Sequence, residues 1–329
     1  MNQMARFPLV YVLCCRAFLA PGLLCGSVLL FGALLPVQAQ KPVETGLVNW
    51  ERDLDAAFET SNKTKRPVLV LFQEIPGCAT CQRFGQGPLS HPLLVEAMED
   101  LFVPVLVYNN KRGKDSELLK RFREPSWNNP VMRFLNARGD DLIPRRDGVW
   151  TTQGIAERMA EALKKAGRPV PAYLKLAIDE QAPRKQKAVF QMACYWTGEK
   201  GLGAIDGVLS TRAGWVGGHE VVEVEYDPAK VTYPTLATTA FANRCANFSY
   251  ATNDDQLKQG KALGADRVRP LGRQTIRDVR PSERKYYLGR SPYTKLKLSP
   301  LQQVKVNAAI GNRTDPKRWL SPRQLAALR

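Results

Sequence analysis

The residues best suited to chemistry are cysteines, and two of them stand three positions apart. Cys78 and Cys81 directly follow the continuous apolar run 67–72, which is typical of a buried strand. A helix is expected to begin there, and a helix N-terminus lowers the pKa of a thiol. The second thiol can then attack a mixed disulfide formed by the first. This pattern favours thiol–disulfide exchange over a static disulfide or half of a zinc site, because the chain has no second Cys-x-x-Cys.

A second candidate nucleophile is Cys194, which follows the short strand-like run 188–190 and precedes Tyr195 and Trp196. Glu220 stands at the start of a later strand-like run. A cysteine, an aromatic cradle and a carboxylic acid are the groups that sulfoxide reduction requires. The thiolate attacks sulfur, the acid protonates the departing oxygen, and another thiol must reduce the resulting sulfenic acid. A buried structural cysteine is the plainer alternative for Cys194.

Strand-like runs alternate with helical patterns in both halves of the chain, which predicts sheets covered by helices. The composition is 44% hydrophobic, enough to build a core. The expected organisation is a signal peptide at 1–39, a first domain at 45–165, a linker at 166–187, a second domain at 188–310 and a basic tail at 311–329.

The first 39 residues have the features of an export signal. Arg6 supplies a positive start, residues 17–35 carry no charge, and 37–39 offer small residues at a cleavage spacing. An uncleaved membrane anchor is the alternative, because the uncharged stretch is just long enough to span a bilayer. Export predicts a periplasmic or secreted location, where thiols form disulfides unless something reduces them.

The chain is strongly basic, with a formal charge of +17, and much of the excess lies in residues 258–329. This segment predicts weak contact with anionic surfaces, although a solvated basic surface is the plainer alternative. Nucleic-acid binding is not expected, and neither is a cofactor. No metal site is expected either, because the only histidines are His91 and His219.

Residues 45–150 resemble the thioredoxin family. The resemblance rests on residues 68–72, 77–81 and 129–130. It implies that Cys78 is the nucleophile and that Cys81 resolves the mixed disulfide. Pro130 would be cis, would pack beside the disulfide and would belong to the substrate-binding residues. The chain departs from the family in having Pro-Gly before Cys78 and Ala-Thr between the two cysteines.

Residues 187–310 resemble the A-type peptide methionine sulfoxide reductases. The resemblance is carried by residues 190–196, 207–218, 219–228 and, more loosely, 283–293. It implies that Cys194 is the nucleophile, that Tyr195 and Trp196 cradle the substrate methyl group, and that Glu220 is the acid. The family's insertion before the histidine, with its tyrosine, is absent, as is its Asp-His-Gly-Thr-Gln-Tyr stretch. An ungapped alignment puts Cys245 at the position of the second tyrosine, which makes it a candidate resolving thiol; a plain buried cysteine is the alternative.

The resemblances imply an α/β and α+β protein, with a thioredoxin-like N-terminal domain followed by an A-type methionine-sulfoxide-reductase-like domain of ferredoxin-like α/β architecture. The implied function is a peptide-methionine (S)-S-oxide reductase acting on exported proteins. Cys194 would attack the sulfoxide, and Cys245 or the Cys78–Cys81 dithiol, held close by a flexible linker, would regenerate it. The expected partners are oxidised methionine-containing proteins or peptides and a thiol reductant such as a membrane electron carrier or thioredoxin.

Two alternatives remain open at this point. One is a general thiol–disulfide oxidoreductase whose C-terminal domain recognises partners, in which case Cys194 would be dispensable. The other is a non-catalytic protein that docks on anionic surfaces through 258–329, and its binding would weaken steeply with salt.

Overall fold

The computed structural model describes residues 41–127, 130–264 and 266–329. The predicted signal peptide at 1–39 lies outside this range. Within the described residues, no helix has the length and apolar character needed to cross a membrane.

The N-terminal half is built around a three-stranded sheet. Its strands are β1 (Val68–Gln73), β2 (Val103–Tyr108) and β3 (Val131–Leu135), in the order β2-β1-β3. β1 runs parallel to β2 and antiparallel to β3. All six residues of β1 are buried, as expected of a central strand with helices on both faces.

Helices cover both faces of this sheet. They are α1 (Leu54–Thr64), α2 (Ala79–Gln86), α3 (Pro92–Leu101), α4 (Lys114–Phe122), α5 (Thr152–Lys165) and α6 (Ala172–Asp179). Successive strand side chains point to opposite faces. Leu69 and Leu71 therefore pack in one cluster with residues of α2, α3, α5 and α6, while Val68 and Val70 pack in another with residues of α1 and α4.

The segment 166–187 differs from the flexible linker that the sequence predicts. It contains α6, whose Tyr173, Leu174 and Ala177 are buried in the same cluster as α3 and α5. Burial of these apolar side chains outweighs the tendency of the neighbouring prolines and charges to form a loop. The covalent connection between the two halves is therefore anchored to the first sheet.

The C-terminal half contains a six-stranded sheet. Its strands are β4 (Gln186–Gln191), β5 (Val208–Val216), β6 (His219–Tyr226), β7 (Phe248–Ala251), β8 (Val268–Pro270) and β9 (Arg277–Asp278), in the order β8-β7-β4-β6-β5-β9. All neighbouring pairs are antiparallel except β7 and β8. The helices of this half are α7 (Tyr195–Ala204), α8 (Tyr233–Ala242), α9 (Asp254–Gly260), α10 (Tyr286–Gly289), α11 (Pro300–Gly311) and α12 (Pro322–Ala326).

The last residues, 311–329, also differ from the loose tail that the sequence predicts. Leu320 is buried in a cluster with Val306 of α11, and Leu325 of α12 packs against that cluster. Arg323 pairs with Glu99 at 2.6 Å and with Asp100 at 3.0 Å, both on α3. Apolar burial and these ion pairs order the segment, and residues 41–329 form one compact unit.

Candidate active sites

The first site lies where β1 ends and α2 begins. Cys78 is the N-cap residue of α2 and is exposed, whereas Cys81 is fully buried one turn later. Their sulfur atoms are 3.7 Å apart. The backbone N–H of Cys81, followed by that of Thr80, lowers the pKa of Cys78, while burial raises the pKa of Cys81 to about 11. An exposed, readily ionised thiol beside a buried, protonated one is the asymmetry that the predicted nucleophile and resolving roles require.

Two buried polar residues fix the loop that leads to Cys78. The Gly77 N–H donates to Oε1 of Glu44 at 2.8 Å, and Nε2 of Gln73 donates to the Cys81 carbonyl at 3.1 Å. A Cβ on Gly77 would lie 2.3 Å from the Glu74 carbonyl oxygen and 2.7 Å from Cys81 Cβ. A glycine before Cys78 is therefore a steric requirement of this loop. The sequence does not predict the roles of Glu44 and Gln73, because no local sequence pattern shows which backbone groups their side chains bind.

Pro130 lies at the same end of the first sheet. In the β1–β3 register, Val131 stands opposite Phe72, so Pro130, which directly precedes β3, lies at the end of the sheet where β1 leads into the Cys78 loop. The Pro130 carbonyl accepts a hydrogen bond from Nε1 of Trp150 at 3.1 Å. The predicted cis bond involves Asn129, which lies outside the described residues.

The second site lies where β4 leads into α7. Cys194 is the half-buried N-cap residue of α7. Glu220, near the start of β6, accepts the backbone N–H of Tyr195 at 2.6 Å, and its carbonyl accepts the N–H of Met192 at 2.8 Å. Pairing of β4 with β6 therefore brings the predicted nucleophile and the predicted acid to one helix N-terminus, where partial positive charge stabilises anions.

Aromatic rings cluster around the two residues that follow Cys194. Trp196 stacks on Tyr286, with ring centroids 3.8 Å apart, and Tyr195 meets Trp196 and Trp215 edge to face at 5.8 and 5.9 Å. The two predicted cradle residues thus lie together, and Trp215 and Tyr286 extend the apolar surface. Sequence reasoning assigned no role to these two, although both lie in segments that carry the resemblance.

A second carboxyl group reaches the site from the segment after β9. The Tyr195 hydroxyl donates to Oε2 of Glu283, and burial together with Glu283 raises the pKa of Tyr195. Burial, followed by the charge of the nearby Cys194, raises the pKa of Tyr287, whose hydroxyl hydrogen-bonds the Thr197 side chain. Tyr195, the residue after Cys194, therefore contacts Glu220 through its backbone N–H and Glu283 through its hydroxyl.

Comparison with known proteins finds two kinds of relative for this chain. Residues 49–137 match the family model described as thioredoxin-like. The chain is 39% identical over 70 residues to the peptide methionine sulfoxide reductase MsrA of Methanothermobacter thermautotrophicus, covering 16% of this chain and 41% of the relative. It is 29% identical over 136 residues to MsrA 2 of Rhizobium meliloti, covering 32% of this chain and 68% of the relative. The chain is a fusion of a thioredoxin-like part and an MsrA-like part.

The chain spans about half or less of most of the curated MsrA relatives it matches, for example 49% of the one from Salinispora tropica. Among solved structures, it is similar to a DsbH oxidoreductase, with a TM-score of 0.31, 19% identity and coverage of 39% of this chain and 92% of that chain. It is also similar to methionine sulfoxide reductase A of Corynebacterium diphtheriae, with a TM-score of 0.29, 19% identity and coverage of 38% and 86%. Because these TM-scores are low, the structural similarities carry no argument beyond the family-model match and the sequence identities.

Cys245 does not lie beside Cys194 in the MsrA-like part. Its side chain is 5% exposed, its thiol donates to the Ala240 carbonyl at 3.2 Å, and burial raises its pKa. Its sulfur packs against Gly201 of α7, at 3.1 Å from where a Cβ would stand. Gly201 is about 10 Å along the helix from Cys194 at the α-helical rise per residue. The resolving role of Cys245 stays a prediction, and it requires α7 or the Cys245 segment to move.

A buried ion pair holds the 283–287 segment against α7. Lys285 Nζ lies 2.7 Å from Glu199 Oε1, and the side chains are 18% and 1% exposed. The Lys285 backbone N–H donates to Oε2 of Glu199 at 3.0 Å, and the Thr211 hydroxyl donates to its Oε1 at 3.0 Å. These contacts hold the segment that carries Glu283 against α7, where Glu283 meets the Tyr195 hydroxyl.

Replacing Glu199 with glutamine is expected to lower the free energy of unfolding by about 3 kcal/mol, because it leaves the largely buried Lys285 charge without its counterion. Urea denaturation followed by fluorescence measures the change. The matched control is Glu199→Gln combined with Lys285→Met, which removes both charges and should recover part of the loss. A loss below about 1 kcal/mol in the single variant would mean that solvent already screens the pair.

Proposed function

We propose that this chain is a thiol-dependent oxidoreductase whose MsrA-like part reduces methionine S-sulfoxide in exported proteins or peptides. The observation that carries the proposal is the contact between the Glu220 carboxyl and the Tyr195 N–H, which fixes an acid beside Cys194 at the start of α7. The identity with curated MsrA proteins supports the same chemistry. Export rests on the sequence of residues 1–39 alone.

The chemistry divides into two half-reactions. The Cys194 thiolate attacks the sulfoxide sulfur, Glu220 protonates the oxygen, and the oxygen passes to the cysteine, which leaves a methionine thioether and a Cys194 sulfenic acid. A thiol then attacks the sulfenic sulfur, forming a disulfide and releasing water. A second thiol releases Cys194 by exchange.

The side chains around Cys194 fit this sequence of steps. The rings of Tyr195, Trp196 and Trp215 form an apolar surface suited to the methyl group of the substrate. The Tyr287 hydroxyl, which hydrogen-bonds the Thr197 side chain and lies near enough to Cys194 to feel its charge, is a candidate donor to the developing oxyanion. It offers a donor at a site that lacks the family's two tyrosine-bearing stretches.

The thioredoxin-like part supplies the exchange chemistry. Cys78 would attack a disulfide on Cys194 or on a partner, and Cys81 would resolve the mixed disulfide. An external thiol reductant, such as a membrane electron carrier or thioredoxin, would then reduce the Cys78–Cys81 disulfide. Because α6 and α12 anchor the two parts to each other, electron transfer between them depends on geometry more than on the reach of a loose linker.

The deciding experiment is single-turnover reduction of a methionine S-sulfoxide peptide by the pre-reduced chain. With peptide in excess and no added reductant, we expect about two thioethers per chain from the wild type, one from Cys194 and a second after the Cys78–Cys81 dithiol regenerates it, and no thioether from Cys194→Ser. Methionine R-sulfoxide peptide serves as the stereochemical control. Cys245→Ser and Cys78→Ser should keep the first turnover and lose only recycling. Absence of thioether from the folded wild type would exclude sulfoxide reduction.

A second candidate function is general thiol–disulfide exchange, with the MsrA-like part recognising partners. It is favoured by one specific difference: the thioredoxin-like part holds its two thiols 3.7 Å apart, whereas Cys194 has no thiol beside it among the described residues. Insulin disulfide reduction that survives Cys194→Ser, together with no sulfoxide reduction by the wild type, would select this alternative.

A further inference from the structure

A third potential metal ligand lies beside the two thiols of the thioredoxin-like part. One carboxylate oxygen of Glu74 and the sulfur atoms of Cys78 and Cys81 all lie within 4.8 Å of one another. Glu74 belongs to the loop between β1 and α2, and this loop turns back over Cys81 because Gly77 allows close packing there. Among the described residues, no other group of three cysteine, histidine or acidic side chains converges in this way.

We propose that the reduced Cys78–Cys81 pair, together with Glu74, binds a single Zn²⁺ ion. Zinc prefers tetrahedral sites of sulfur, nitrogen and carboxylate ligands, with Zn–S bonds of about 2.3 Å. Two such bonds at a tetrahedral angle place the sulfur atoms about 3.8 Å apart. The observed separation of 3.7 Å matches this value, so the thiols need not move to share an ion.

The surroundings leave one coordination position open. Cys81 is buried and Glu74 is half-buried, so they form the inner wall of the site, while Cys78 is exposed. A zinc ion held by these three residues would face solvent and take a water molecule or an exogenous ligand as its fourth partner. The sequence predicts no metal site, because the chain has two histidines and no second Cys-x-x-Cys; the carboxylate of Glu74, four residues before the motif, supplies the third ligand.

The binding step involves protons and no electrons. Both thiols ionise, two protons are released, and two Zn–S bonds and one Zn–O bond form. A Cys78–Cys81 disulfide has no thiolate to offer, so only the reduced chain would bind the ion. Once bound, zinc engages the Cys78 electron pair that attacks disulfides, so the ion would block exchange until it is removed. This inference depends on the dithiol and not on sulfoxide reduction, so either can fail alone.

The test is anaerobic titration of the reduced chain with Zn²⁺ against a chromophoric chelator. We expect one ion per wild-type chain, and a weaker affinity by at least about tenfold in Glu74→Gln. Glu117→Gln, which removes an exposed carboxylate on α4, is the matched control and should bind like the wild type. The disulfide form and Cys78→Ser/Cys81→Ser should not compete with the chelator.

Co²⁺ absorption and cysteine alkylation report directly on bonds between the metal and the thiolates. Co²⁺ added to the reduced chain should give a thiolate-to-cobalt charge-transfer absorption, which Cys245→Ser retains. One equivalent of Zn²⁺ should slow iodoacetamide alkylation of Cys78 at least about tenfold, and a chelator should reverse this. No zinc uptake by the reduced wild type would overturn the proposal, and equal affinities of Glu74→Gln and Glu117→Gln would remove Glu74 from the ligand set.

Discussion

Replacing Glu220 with glutamine is expected to slow sulfoxide reduction by Cys194 about 100- to 1,000-fold. The amide oxygen can still accept the Tyr195 N–H, so the start of α7 keeps its geometry. The amide cannot supply the proton that the departing sulfoxide oxygen needs. The loss should therefore appear in the single-turnover rate of thioether formation, while the binding of the substrate peptide changes little.

Glu223→Gln is the matched control for Glu220→Gln. Glu223 lies on the same strand, β6, and its carboxylate pairs with Lys187 and Arg212, away from Cys194. Its single-turnover rate should equal that of the wild type. Glu220→Asp keeps an acid at a shorter reach and should recover part of the rate. A loss below tenfold in Glu220→Gln would exclude Glu220 as the proton donor and would direct attention to Glu283, acting through the Tyr195 hydroxyl.

The positions of Cys78, Cys81, Cys194 and Glu220 in the fold agree with the sequence prediction, and the reason is similar at both sites. In each case a strand ends a few residues before the cysteine, and the thiol falls at the start of a helix. Periodicity and apolar runs encode that arrangement locally. Glu220 was predictable because its segment resembles one whose strand borders the nucleophile, and the β4–β6 register reproduces that neighbourhood.

The supporting residues could not be predicted, because their partners are distant in sequence. Tyr195 and Glu283 are 88 positions apart, and Glu199 and Lys285 are 86 apart. Such contacts depend on how the segment after β9 packs on α7, which no local pattern specifies. The position of Cys245 also depends on such long-range packing. The alignment predicts that Cys245 faces Cys194, whereas in the structure Cys245 packs against Gly201, farther along α7.

The linker and tail show why composition misleads at segment ends. Residues 166–187 and 311–329 are rich in charge and proline, yet each holds a short apolar set that is buried against a neighbour. Pairing of Arg323 with α3 and packing of α6 on the first sheet keep the two redox parts in one unit. The segments expected to be a loose linker and tail are therefore part of the folded unit.

In the thioredoxin-like part, serine variants of Cys78 and Cys81 are expected to affect disulfide exchange in opposite ways. Cys78→Ser should abolish insulin disulfide reduction, because the exposed thiol makes the first attack. Cys81→Ser should keep that attack and stop there, so a mixed disulfide with the partner accumulates. Non-reducing mass spectrometry of each variant after incubation with a disulfide peptide measures the adduct. An adduct on Cys78→Ser, with none on Cys81→Ser, would reverse the roles.

The pH dependence of alkylation tests the same asymmetry without a partner. Hydrogen bonds from the N–H groups of Cys81 and Thr80 lower the pKa of Cys78, so its thiolate persists at a pH where an ordinary thiol is protonated. Burial raises the pKa of Cys81 to about 11, so that thiol stays protonated at neutral pH. The iodoacetamide reaction of Cys78 should therefore reach its plateau at a lower pH than that of an ordinary thiol, while Cys81 reacts only in strong base. Equal reactivity of the two thiols at neutral pH would mean that the helix N-terminus does not select the nucleophile.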